Sequence, residues 1–137
     1  MQDFVERYRP YVLSILRIMA ALLLLQHGLS KFFGWPVPTP MPATFSLIWF
    51  AGAIELVGGI LLALGLFTRP VAFILSGELA FAYFIGHAPS GFFPQANRGE
   101  LAALYSFVFL YLAFAGGGPW SLDALLRRDR TRVSRPA

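Results

Sequence analysis

Residues 12–31 read VLSILRIMAALLLLQHGLSK, and this stretch decides what kind of protein the chain is. A helix needs about 20 largely apolar residues, each rising about 1.5 Å, to cross the hydrocarbon of a bilayer. Here a single cation, Arg17, interrupts the apolar run before Gln26 and His27. The stretch follows Arg7 and Arg9, as a secretion signal would. Its apolar part is too long for one, however, and no small-x-small cleavage site precedes the polar loop. It reads as a retained membrane-spanning helix.

Three further stretches have the same character, at residues 44–67, 71–87 and 101–116. The breaks between them have local causes. Pro36, Pro38, Pro40 and Pro42 forbid helix and favour extended chain after the first. Only Thr68-Arg69-Pro70 separates the second from the third, which makes them antiparallel neighbours. An aromatic loop containing Phe92 and Phe93 precedes the fourth, and Gly116-Gly117-Gly118-Pro119 ends it. Ser121 is placed to N-cap a short helix with Asp123 in its first turn, where the helix dipole favours an anion. Trp120, Leu122, Leu125 and Leu126, followed by Arg127 and Arg128, suit a helix lying on the membrane surface ahead of a basic tail at 127–137.

Composition agrees. The 137 residues suit one domain; 57% are hydrophobic and 13% charged, with a mean hydropathy of +0.63. A soluble domain carries about 25% charged residues, so this chain has too few to cover a surface facing water. The absence of cysteine excludes disulfides, thiolate metal sites and iron–sulfur ligation. The net charge of +4 does not mark a nucleic-acid binder, because five of the eleven cations fall in the last eleven residues, where they set topology or meet anionic lipid. Arg7, Arg9, Arg69 and the five C-terminal arginines flank one side of the predicted spans; Lys31 and Arg98 flank the other. Cytoplasmic segments are enriched in cations, which predicts an all-α, integral membrane four-helix bundle with both termini in the cytoplasm.

An ionisable side chain at mid-bilayer costs about 2.5–3.5 kcal/mol on insertion scales, so each one needs a reason. Arg17, Glu55 and Glu78 are the three. Counting from the predicted helix ends places them within about 5–8 Å of a common height, so they are expected to meet inside the bundle. Ala51, Glu55, Gly59 and Ala63 form a small-residue stripe that turns Glu55 toward another helix. One cation for two carboxylates leaves an excess acid, suited to donating or accepting a proton beside a bound molecule. An ion pair that only docks helices is the other reading. Toward the opposite end lie His27, Lys31 and His87, with Tyr83, Tyr105 and Tyr111 able to flank a ring. Two histidines at similar depth are the geometry of a haem site, but nothing else signals haem, and no metal site is expected.

At these residues the chain resembles the DoxX family of small bacterial membrane proteins. The pieces are Arg17; His27-Gly28-Leu29-Ser30-Lys31-Phe32-Phe33-Gly34; Glu55-Leu56-Val57-Gly58-Gly59; Gly65-Leu66-Phe67-Thr68-Arg69; and Gly118-Pro119-Trp120-Ser121-Leu122-Asp123. The resemblance implies a four-helix bundle in the bacterial inner membrane. It also implies a redox system using quinone, since some members are named as subunits of a thiosulfate:quinone oxidoreductase. Arg17, His27, Lys31 and Glu55 are the polar positions it carries over.

Three functional readings follow. In the first, the bundle binds quinone or a similar hydrophobic molecule, with Glu55, Glu78 or His27 handling protons and no covalent cofactor. In the second, it is a non-catalytic module that docks a partner oxidoreductase through its basic tail or aromatic loop. In the third, a homo-oligomer forms a small transporter along the charged track.

Overall fold

The first apolar stretch lies within one continuous helix, α1 (Gln2–Phe33), which starts ten residues before the predicted span. Pro10 forfeits one backbone hydrogen bond without ending the helix, and Asp3 sits favourably in its first turn. At 32 residues α1 is about 48 Å long, against a hydrocarbon core of about 30 Å. In the computed structural model, which describes residues 1–133, it is followed by α2 (Leu47–Leu64), α3 (Thr68–Ala82), α4 (Glu100–Ala115) and α5 (Leu122–Val133). No strand occurs among the described residues.

Each boundary has a chemical cause. The Ser46 hydroxyl accepts from Trp49 N at 3.2 Å, so α2 begins at Leu47 rather than at residue 44. Gly65, at φ 69°, closes α2 in the left-handed conformation that glycine adopts without penalty. The helical path of α3 continues through a π-helical turn, Tyr83–His87, and a 3-10 turn, Ala88–Ser90. The Ser121 hydroxyl accepts from Ala124 N, the N-cap expected of it. However, α5 runs on through the arginines to Val133, so residues 127–133 of the predicted basic tail are helical; 134–137 lie outside the described residues.

Among the described residues, three helical segments are long and apolar enough to cross a membrane: α1, α2 and the continuous run Thr68–Ser90. The fourth, α4, is apolar but has 16 residues, about 24 Å. The buried core is small, built from Ala20, Ala21 and Leu24 of α1, Leu62 of α2, Leu75 and Leu79 of α3, and Phe109 and Leu112 of α4. Most large apolar side chains, among them Leu22, Val57, Phe73, Phe81, Phe107 and Phe114, point outward. Such a belt is untenable in water and normal in lipid. This is a multi-pass membrane protein.

The helices pack as two hairpins, α1 on α2 and α3 on α4, joined along α2 and α3. Small residues set the first seam. A Cβ at Gly28 would lie 2.8 Å from the backbone nitrogen of Leu56, and one at Gly59 would press 3.2 Å from Leu25. Close backbone approach of this kind is how helices associate where lipid removes the hydrophobic drive. Hydroxyls hold the second seam: Ser76 Oγ donates to Ser106 O at 2.7 Å and Ser106 Oγ returns a bond to Ser76 O at 2.9 Å.

Gly28→Leu is expected to destabilise the protein by about 1–3 kcal/mol through overpacking against the α2 backbone. Gly77→Ala, where a Cβ meets nothing within 4 Å, should be neutral or stabilising by up to about 1 kcal/mol. Thermal unfolding of the two variants in detergent checks the contrast; equal behaviour would refute the close crossing.

Candidate functional site

The α1–α2 register sorts the intramembrane charges into two clusters. With Gly28 against Leu56, Lys31 comes beside Glu55, and Lys31 Nζ donates to Glu55 Oε2 at 2.6 Å. Glu55 is buried, and its ammonium partner is a quarter exposed. A charge-assisted bond this short offsets part of the cost of taking both ions out of water. Glu78, from α3, lies within electrostatic reach of both Glu55 and Lys31. Its Oε2 is shielded from solvent and has no hydrogen-bond partner among the described residues. A carboxyl oxygen in that state is open to a donor brought by a ligand, or to a proton.

Aromatic groups stand beside these carboxylates. The Ser76–Ser106 seam is antiparallel, which puts Tyr105 of α4 at nearly the height of Glu78. The Tyr105 ring stacks on Phe109 at 5.6 Å and 7°, and the His27 ring meets Tyr105 edge-on at 6.5 Å. His27 is exposed on α1, one turn before Lys31. So α1, α2, α3 and α4 each contribute a polar side chain to one level of the bundle.

Arg17 belongs elsewhere. It lies opposite Gly65, ten residues beyond Glu55 along α2, about 15 Å away in height. The expected meeting of Arg17 with Glu55 and Glu78 does not occur. The estimate of depth fails because α1 starts at Gln2 and because glycine contacts, invisible to residue counting, fix its register on α2. Arg17 is 0% exposed, packed over Gly65 and Gly117, with Nη2 donating to Trp120 O at 2.5 Å. Neighbouring Ser14 Oγ donates to Gly117 O at 3.3 Å and accepts from Trp120 N at 3.2 Å. The segment at residues 116–121 is thereby tied to α1.

Asp123 stands in the first turn of its own helix, as the sequence predicts, and its side chain also caps α3. Its carboxylate accepts from Phe67 N and Thr68 N, both at 2.9 Å. Phe67 needs that support, since its φ of 51° is unfavourable for a bulky residue. Burial works to raise the Asp123 carboxyl, but the bonds from Thr68 and Phe67 and the nearby Arg127 charge outweigh it, leaving it below the usual range. Arg69 caps the end of α4, donating to Phe114 O and, at 3.4 Å, to Ala113 O.

The remaining predicted ligand residues disperse. His87 and Tyr83 hold the loop after α3 through Asn97. Asn97 Nδ2 donates to Tyr83 Oη at 3.3 Å, and His87 Nδ1 lies 3.2 Å from Asn97 O, so that nitrogen carries the proton. Asn97, buried and making further bonds to Gly91 O and Gly99 N, organises this loop, a role that no local sequence pattern signals. Tyr111 is 55% exposed on the outer side of α4, away from the cluster. Among the described residues, no three His, Asp or Glu side chains converge as metal ligands.

Comparison with known proteins adds to this geometry. The family model DoxX matches residues 12–88, from α1 through the π-helical turn, and so includes Lys31, Glu55 and Glu78. An uncharacterized protein of Haemophilus influenzae is 51% identical over 124 residues, covering 86% of this chain and 92% of its own. The inner membrane protein YphA of Escherichia coli is 30% identical over 128 residues, covering 84% of this chain and 90% of its own. An uncharacterized membrane protein of Mycobacterium tuberculosis is 29% identical over 141 residues, covering 89% and 85%. No solved structure matches.

Lys31→Met should destabilise the protein by about 3 kcal/mol, because it strands Glu55 in an apolar interior. Adding Glu55→Gln should recover part of that loss, and a double-mutant cycle in thermal unfolding measures the coupling. The Asp123 contribution has a pH signature. Its folded pKa lies below its unfolded value of about 3.9, so the stability it gives is full above that value and is lost as pH falls through the folded pKa. Asp123→Asn should cost about 1 kcal/mol near neutrality and remove this acidic limb from a plot of Tm against pH.

Proposed function

The chain belongs to the DoxX family, and from that premise we propose that it is a four-span protein of the bacterial inner membrane that binds a quinone-like ring beside Lys31, Glu55 and Glu78 as part of a redox system. The observation that carries this reading is the water-shielded, unpartnered Oε2 of Glu78 next to an ion pair that already neutralises Glu55. Buried Tyr105 and Phe109 stack on each other beside this level, and exposed His27 marks an approach from the lipid side. A quinone supplies two-electron chemistry that consumes two protons. Glu78 holds a proton at Oε2 or accepts a hydrogen bond there, while Lys31 holds the Glu55 side chain in place. His27 passes protons at the exposed edge. Without cysteine, the chain positions the ring and moves protons while a partner oxidoreductase delivers electrons.

Both termini lie in the cytoplasm in this reading. The cation-rich N-terminus, Arg69 and α5 gather at the Arg17 end of the bundle, and α4 completes the fourth crossing despite its length. A docking module is the second reading, favoured by Phe92 and Phe93 at 87% and 68% exposure on the Asn97-fixed loop.

In nanodiscs, a short-chain quinone should bind saturably, and Glu78→Gln should weaken it about tenfold, about 1.4 kcal/mol, with Tm unchanged. Recovery of phospholipid alone from the purified protein, together with a flat titration, would refute the quinone site and favour docking.

A further inference from the structure

A cleft of about 360 Å³ opens between α5 and the adjoining ends of α3 and α4, far from the Lys31 cluster. We propose that this cleft binds the phosphate group of an anionic phospholipid.

Three guanidinium groups line it: Arg69 from the start of α3, and Arg127 and Arg130 from successive turns of α5. The carboxylate in the same lining, Asp123, is committed to the backbone amides of Phe67 and Thr68. Three cations around one engaged anion leave a cleft of positive charge, and arginine forks match phosphate oxygens in pairs. The cations are held in place before any ligand arrives. Arg69 is anchored on the carbonyls that end α4, and Arg127 Nε donates to Asp123 O at 3.3 Å. The volume is that of a small-molecule site rather than of a single water or ion.

The rest of the lining identifies the source of the phosphate. Phe67, Pro70 and Leu126 complete the cleft, and Phe67 and Leu126 are also exposed to the surroundings. The apolar belt of α3 continues from there through Phe73 and Ile74. A phosphodiester seated on the arginines can therefore lay its acyl chains along α3, where a free phosphate would gain nothing from the apolar wall. The cleft also sits where a span ends, the depth at which lipid headgroups lie.

The test uses the full-length protein in detergent, with Tm followed against added phosphatidylglycerol, phosphatidylcholine and inorganic phosphate. Phosphatidylglycerol should raise Tm saturably, with a midpoint at least tenfold below that of phosphatidylcholine; millimolar phosphate should not reproduce the rise. The Arg127→Gln/Arg130→Gln double variant, measured against its own lipid-free Tm, should shift the phosphatidylglycerol midpoint at least tenfold upward with helix content retained. Arg69 is left intact because it also caps α4. Arg7→Gln/Arg9→Gln, at the same end of the bundle but outside the lining of the cleft, should leave the response as it was. A double variant that responds like the parent, equal effects of the two lipids, or a loss in the Arg7/Arg9 control would overturn the proposal. A full response to inorganic phosphate would overturn the lipid as its source. If the double variant does not fold, native mass spectrometry of Arg130→Gln replaces it, and undiminished phosphatidylglycerol retention would overturn the proposal equally.

Discussion

The approach of α1 to α2 at Gly28 is the constraint on which the rest of this protein depends. With the Gly28 Cβ position 2.8 Å from a backbone atom of Leu56, the two helices touch along their main chains, and no larger residue fits without moving one of them. That contact fixes the register. Lys31 is then one turn past the crossing, against Glu55, and Arg17 is delivered to Gly65 at the far end of α2. In lipid, a helix pair gains little from burying apolar surface, so close packing and polar contacts choose the arrangement. Here they choose together.

The two polar clusters that result have different physical characters. At the Arg17 end, the side chains mostly bind backbone: Arg17 to Trp120 O, Ser14 to Gly117 O, Asp123 to the amides of α3, Arg69 to the carbonyls of α4. These bonds satisfy helix ends and tie the C-terminal segment to the bundle, while Arg17 Nε and Nη1 are buried without a hydrogen-bond partner among the described residues. At the Lys31 end, side chains bind side chains, and one carboxylate atom has no partner among the described residues. Buried polar groups are nearly always satisfied, so an exception beside an ion pair is where a guest molecule has something to gain.

Several family-like motifs acquire physical meaning from this division. In the run from His27 to Gly34, Gly28 makes the crossing, Lys31 neutralises Glu55, and Gly34 ends α1 at φ 62°. Ser30 O, in the same run, accepts from Thr39 Oγ1 at 2.5 Å, pinning the proline-rich loop. The runs beginning at Gly65 and Gly118 look unrelated in sequence and form one structure, since Asp123 of the second caps the helix that starts in the first. Much of what marks the family in this chain is thus architecture.

The sequence by itself determined that the chain is helical and belongs in a bilayer, because length and hydropathy are local properties that lipid reads directly. It also located the breaks between helices, where proline, glycine and serine act within a few residues. It named Arg17, Glu55 and Glu78 as costly charges in apolar stretches, and His27 and Lys31 as polar groups toward the opposite end. Tertiary structure alone decided which of them meet. Arg17 and Glu55 both sit on small-residue faces, and nothing local says that one faces Gly65 and the other Lys31. The role of Asp123 was hidden for the same reason. Its partners are 55 and 56 residues away, and a hydrogen bond across that separation is fixed by helix register, which is a property of the packed bundle and of no segment within it.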